Sequence, residues 1–286
     1  MILVTGSTGK VGQQLVSILQ QSRAEFRALA RSDASARDLA AKGVQVVRGD
    51  IADQASMRTA LRGIDTLFLL SAGADPYTAE APVVAVAKAA GVKRVVKLSV
   101  NGADADATNS FLRGHARVDR LLEESGMAWT FVRPTFFMQN WVLYNAPAVR
   151  AGQPVYANAG SSRIGWVDTR DIAAVAAAAL TDNGHDGRIY DLTGPEALSY
   201  ADVAGRLGKL LGRDVKYVAV SDRAAFEAMR GAGVPADYAF ALTTLNQAVR
   251  RGLADMTTDT IELVTGRPSR TMDAFLRENA NEFRGG

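Results

Sequence analysis

The sequence predicts a doubly wound α/β fold, a parallel sheet covered by helices on both faces. Three observations carry this. Over residues 1–135, short apolar runs rich in β-branched residues alternate with helical stretches. The clearest helix sets Val11, Leu15, Ile18 and Leu19 on one face at 3.6-residue spacing. A glycine-rich segment, Gly6-Ser-Thr-Gly9-Lys-Val-Gly12, joins the first strand directly to that helix.

Taken in order, strands are expected at residues 2–5, 25–30, 44–48, 66–70, 94–98 and 129–132. After Pro134 the rhythm changes. Short strands near 164–167, 188–192 and 215–220 mix with helices opening near Asp171, Ser199, Asp222 and Asp237. Asp168 or Thr169, and Ser199, sit where N-caps belong. The expected division is a sheet domain at 1–135. Residues 136–286 then form mostly a smaller α/β lobe, with some elements packing back on the sheet.

Composition excludes several function classes. The 33 basic and 30 acidic side chains nearly cancel, giving a net charge of +3, too even for a nucleic-acid partner. With no cysteine there is no disulfide, thiol nucleophile or thiolate metal site. The two histidines, His115 and His185, are too far apart in sequence for a metal motif, so no metal is expected. The chain opens as a strand without a leader, and its apolar run at 173–180 is far below the ~20 residues that span a bilayer. A cytoplasmic protein without a membrane partner is expected, as a monomer or a homodimer.

Strand, Gly-x-x-Gly-x-x-Gly and helix together are a variant of the dinucleotide fingerprint. One glycine makes the tight turn, one lets backbone approach a pyrophosphate, and one lets helix pack on strand. The helix N-terminus adds free N–H groups and partial positive charge. Residues 1–135 thus read as a dinucleotide-binding domain, with Gly6, Thr8, Gly9, Lys10, Val11 and Gly12 at the phosphates. The second strand ends in Arg31 where an NAD enzyme carries an acid, which favours NADPH. Lys10 supplies a second cation, and Asp33 is the nearby acid that would serve NAD if the register shifted. Asp50 is either an acceptor for the adenine amino group or a loop cap. Ser71 and Ser99, ending the fourth and fifth strands, are expected to line the cofactor groove.

These features resemble the NmrA-like branch of the atypical short-chain dehydrogenase/reductase superfamily. The resemblance covers nearly the whole chain. It is carried by TGSTGKVG at 5–12, GD at 49–50, SGMAWTFVRPTFFMQN at 125–140, GWVDTRDIA at 165–173 and LTGPEALSYADVA at 192–204. It implies a Rossmann-like fold and a nicotinamide cofactor. The branch includes flavin-free quinone oxidoreductases, triphenylmethane-dye reductases and azoreductases, while NmrA itself is a regulator that senses nicotinamide nucleotides.

One departure bears on the chemistry. Short-chain dehydrogenases place Tyr-x-x-x-Lys on the helix after the fifth strand, the tyrosine protonating the carbonyl oxygen as hydride arrives. Aligned through Asp119-Arg-Leu-Leu122, this chain has Phe111 and His115 at those positions. Phenylalanine gives no proton. An unactivated ketone would leave a poorly stabilised alkoxide, whereas a quinone, a cationic dye or an azo bond spreads or absorbs the charge. Electron-poor planar aromatics are therefore the expected acceptors. Three roles stand open for His115: polarising or protonating a product, anchoring the nicotinamide ribose, or simple helix packing.

After the sixth strand, Phe136, Phe137, Met138 and Trp141 are expected to give a flat aromatic wall at the sheet's ligand edge. The helical spacing of Phe137, Trp141 and Tyr144 suits a packed core equally well. The leading expectation is a flavin-independent, NADPH-dependent reductase of quinones or dyes, and the competing one a non-catalytic NADP(H) sensor.

Overall fold

The computed structural model describes residues 1–284. The elements begin β1 (Ile2–Val4), α1 (Lys10–Gln21), β2 (Phe26–Ala30), α2 (Asp33–Ala41), β3 (Val46–Arg48) and α3 (Gln54–Ala60). They continue β4 (Thr66–Leu69), α4 (Pro76–Ala89), β5 (Arg94–Leu98), α5 (Ser110–Glu123) and β6 (Ala128–Pro134). Beyond Pro134 come a π-helical turn at Trp141–Asn145, α6 (Ala146–Arg150), β7 (Val155–Ala157), α7 (Thr169–Thr181) and β8 (Arg188–Leu192). The rest is α8 (Tyr200–Leu211), β9 (Tyr217–Ala219), α9 (Asp222–Gly231), α10 (Ala236–Arg250), α11 (Thr260–Thr265), α12 (Met272–Glu278) and α13 (Ala280–Phe283). Among the described residues no helix is long and apolar enough to cross a membrane.

The chain divides into two compact units, the first comprising residues 1–134 and 169–191. Its seven strands lie in the order β3-β2-β1-β4-β5-β6-β8, and the pairs from β3 through β6 are parallel. Strands buried on both faces read as apolar runs, as in the fully buried Ile2-Leu3-Val4 of β1. Helix α1 packs on α7, while α3, α4 and α5 pack side by side as a second group. There Leu3, Leu67, Leu69, Val95 and Phe131 of the strands meet Val83, Ala87, Val118 and Leu122 of the helices. Each such aliphatic side chain contributes roughly 1.5–3 kcal/mol by leaving water. The order reverses between β1 and β4, which opens a crevice beyond the strands' carboxyl ends.

The second unit comprises residues 135–168 together with the chain from Leu192 onward. It holds the two-stranded parallel sheet of β7 and β9, paired Val155 to Tyr217. Its core joins Met138, Trp141, Trp166, Leu207, Phe275 and Phe283. Trp166 donates its indole N–H to the Leu198 carbonyl at 3.0 Å, so its polar edge is satisfied inside. Ser199 caps α8 in a reciprocal box with Asp202, as the sequence expects.

Two expectations need correction. Residues 164–167 form no strand: Ile164 bridges Leu198, Val167 bridges Phe137, and the Gly165 N–H goes to the Ala254 carbonyl. Hydrogen bonds to three separate partners replace a ladder. The three-residue β7 escaped the sequence reading because Val-Tyr-Ala is too short to show alternation.

Candidate active site

The site is built in the first unit, at the carboxyl ends of β1, β4, β5 and β6. At the end of β1, the Thr5 hydroxyl lies 2.9 Å from the Leu70 carbonyl and accepts from the Leu70 N–H at 2.8 Å. The Ser7 hydroxyl donates to the Leu29 carbonyl at 2.7 Å. The glycine turn is thus tied to both neighbouring strands. Gly6 adopts φ +61°, and a Cβ there would meet the Leu70 side chain at 2.7 Å. A Cβ on Gly12 would lie 2.0 Å from the Gly6 carbonyl oxygen, so only glycine lets α1 begin this close to the turn.

Gly9 is the N-cap of α1 and gives no side-chain cap, and no acid occupies the first turn. Thr8, Gly9 and Lys10 are exposed, whereas Val11 is buried in the helix's inner face. The first N–H groups of this 12-residue helix therefore have no side-chain acceptor. They carry the helix's partial positive charge into the crevice between β1 and β4. Backbone donors, glycines admitting close approach and an adjacent lysine fit a dinucleotide pyrophosphate.

At the ends of β2 and β3, Arg31 is exposed. Asp33, the acid that would favour NAD, pairs with Arg48 at 3.1 Å. Asp50 accepts from the Ala52 N–H at 3.0 Å, which is the loop-cap geometry.

Beyond β4 and β5 lies a buried polar cluster that the sequence reading missed. Ser71, expected to line the groove, donates its hydroxyl to Glu80 Oε1 at 2.8 Å. Ser99 likewise donates to Asp119 Oδ2 at 2.8 Å, and Arg133 meets the same oxygen at 2.8 Å. Lys97, fully buried in β5, lies 3.2 Å from Asp119 Oδ1, 3.5 Å from Glu80 Oε2 and 2.7 Å from His115 Nδ1. Burial raises the Glu80 carboxyl above its usual range although Lys97 and Ser71 pull it down. His115 is held well below the usual imidazole range, first by burial and then by the Lys97 and Arg133 charges. The sequence does carry a signal for this cluster. Lys97 interrupts the apolar Val95-Val96 and Leu98 of a central strand, and such a charge is fully buried only when paired.

His115 and Phe111 lie one turn apart on α5, the helix after the fifth strand, where the sequence alignment puts them. The expected aromatic wall divides. Met138 and Trp141 are fully buried in the second unit's core, so the apolar surface expected to face an acceptor is spent on packing. Phe136 and Phe137 are half-buried, and Phe136 meets Trp166 edge-on at 5.8 Å.

Known proteins resemble this chain over nearly its whole length. The chain is 41% identical over 284 residues to an NAD(P)H azoreductase of Xenophilus azovorans, covering 99% of each chain. It is 37% identical over 285 residues to the (4-alkanoyl-5-oxo-2,5-dihydrofuran-3-yl)methyl phosphate reductase of Streptomyces griseus, again covering 99% of each. Among solved structures, the NADPH complex of an Escherichia coli NADPH-dependent quinone oxidoreductase superposes with a TM-score of 0.89 at 28% identity, covering 98% of this chain and all of that one. Residues 1–272 match a single family model, with the glycine turn, the parallel sheet and α5 all inside the matched span, and the chain belongs to the NmrA-like family.

Proposed function

We propose that this protein is a flavin-independent, NADPH-dependent reductase of electron-poor conjugated acceptors such as quinones and azo compounds. The observation that carries the reading is the pairing of an uncapped glycine turn at the sheet's reversal point with a helix reading Phe111-x-x-x-His115. The first N–H groups of α1, with Lys10, hold the pyrophosphate. Arg31 takes the 2′-phosphate. When bound, the cofactor supplies hydride. Phe111 gives no proton, and the His115 imidazole is kept neutral by its surroundings. Acceptors that delocalise the incoming charge need no full proton transfer from either side chain.

The test is loss of reduced-nicotinamide absorbance by purified protein with NADPH, with and without a quinone or azo dye, after a scan for bound flavin. Acceptor-dependent oxidation without flavin is expected. NADPH binding without oxidation by any acceptor overturns the reading in favour of a nucleotide sensor. Stoichiometric flavin, or activity only on adding it, overturns the flavin-free mechanism.

A further inference from the structure

We infer that Lys97 is a positioning residue, its ammonium holding His115 as the neutral imidazole protonated on Nε2, so that His115 meets its ligand as a hydrogen-bond donor. The inference rests on the reductase reading for the ligand's identity, and on geometry alone for the tautomer.

An ammonium has three N–H donors and no acceptor. Lys97 Nζ hydrogen-bonds His115 Nδ1 at 2.7 Å, while Asp119 Oδ1 at 3.2 Å and Glu80 Oε2 at 3.5 Å lie at ion-pair distance without hydrogen-bond geometry. At 2.7 Å an ammonium tolerates only a lone pair on Nδ1, because an N–H there would point at its own protons. The two carboxylates lie at ion-pair distance from the buried ammonium.

Every packed element contributes to this balance. Strand β5 presents Lys97, β6 presents Arg133, α4 presents Glu80, and α5 itself presents Asp119. Two cations thus stand against two carboxylates, with the Ser71 and Ser99 hydroxyls donating to Glu80 Oε1 and Asp119 Oδ2. A charged imidazole would add an uncompensated third cation beside Lys97 and Arg133. Burial and those same two charges hold His115 below its ordinary range. With Nδ1 occupied, Nε2–H is the one donor His115 can offer. A neutral imidazole in that state polarises an oxygen without surrendering a full proton at neutral pH. This suits acceptors whose charge is already spread.

The tautomer can be read directly from the folded protein. With histidine labelled in ¹⁵N, a long-range proton–nitrogen correlation distinguishes protonated from bare ring nitrogens. Only two histidines are present, so His185→Gln assigns the spectrum. We expect His115 to show bare Nδ1 and protonated Nε2, unchanged from about pH 8 to about pH 5.5, across the ordinary imidazole range. A protonated Nδ1, or an imidazolium at neutral pH, overturns the inference without any substitution. A second measurement uses Lys97→Gln, in which the ring should exchange tautomers and begin to titrate; an unchanged His115 spectrum there would also overturn it. In turnover, His115→Phe should lower kcat by tenfold or more with little change in KM for NADPH. His115→Gln, which retains an amide donor, should recover most of that loss; equal losses in the two variants would count against the donor role. If no acceptor is reduced yet the tautomer is as stated, the reductase reading fails and the Lys97 clamp stands.

Discussion

Arg48 Nη2 lies 3.1 Å from Asp33 Oδ1, and the same guanidinium donates from Nη1 to the Ala30 carbonyl at 3.2 Å. The contact gives the acid just beyond β2 a cation of its own. Asp33 is the acid that could have taken ribose hydroxyls, and its charge is balanced from β3, while Arg31 makes no ion pair among the described residues. Arg31→Ala should therefore weaken NADPH by on the order of 1.5–3 kcal/mol and leave NADH nearly unchanged. Arg48→Ala should free Asp33 and narrow the preference from the other side. Titration calorimetry with both cofactors checks this, and equal losses for the two on Arg31→Ala remove Arg31 from the role.

Gly12 tests the turn itself. Because a Cβ would lie 2.0 Å from the Gly6 carbonyl oxygen, Gly12→Ala must push α1 away from the turn. Overpacking of this kind costs ~1–3 kcal/mol. The displaced helix terminus should also lose at least tenfold in NADPH affinity. Thermal unfolding and nicotinamide fluorescence read the two effects separately, and wild-type binding by the variant would show that the α1 terminus is not the phosphate site.

Removing the Lys97 charge should be among the costliest single changes in the first unit. Lys97→Met strands buried carboxylates, at a cost of roughly 3–5 kcal/mol in urea unfolding. Asp119 retains Arg133 and Ser99, whereas Glu80 retains only Ser71. Adding Glu80→Gln should consequently recover stability that Asp119→Asn does not. Equal recovery by the two would contradict this assignment of the orphaned charge.

The Phe111 position predicts substrate range. Quinones or azo dyes should be reduced, while simple aliphatic ketones should be left almost untouched. Phe111→Tyr should not markedly speed the favoured acceptors. Efficient reduction of an aliphatic ketone by the wild type would mean that another side chain donates the proton.

In the second unit, Arg250 grips Asp222 with both nitrogens at 2.8 and 2.9 Å, joined by Asn158 and Gln247. Arg250, then Asn158, hold the Asp222 carboxyl well below the usual carboxylate range. The sign follows from linkage. An acid stronger in the folded than in the unfolded state stabilises fully above its unfolded pKa, and less as pH falls through and below it. Acid unfolding measured with Asp222→Asn should therefore show a shallower loss of stability below about pH 4 than the wild type. Parallel curves would mean that the network contributes nothing measurable.

Much of this was legible in the chain itself. Local rules set the alternation of strands and helices, the Gly6–Gly12 turn, the Ser199 cap and the Phe111–His115 register, because each depends on residues within a few positions of one another. The resemblance of five segments to the NmrA-like family was equally a property of sequence, and the match over residues 1–272 bears it out. Tertiary structure decided what depends on distant partners. It put Met138 and Trp141 in a core rather than on a wall, an outcome that the helical spacing of Phe137, Trp141 and Tyr144 left open for Trp141 alone of the two. It paired Asp33 with Arg48 across two strands. Above all it gathered Glu80, Lys97, His115, Asp119 and Arg133 from four elements into one buried cluster. Sequence shows a lone lysine in an apolar strand. Only the packing of α4 and α5 on β5 and β6 supplies the carboxylates and the imidazole that let that charge stay buried.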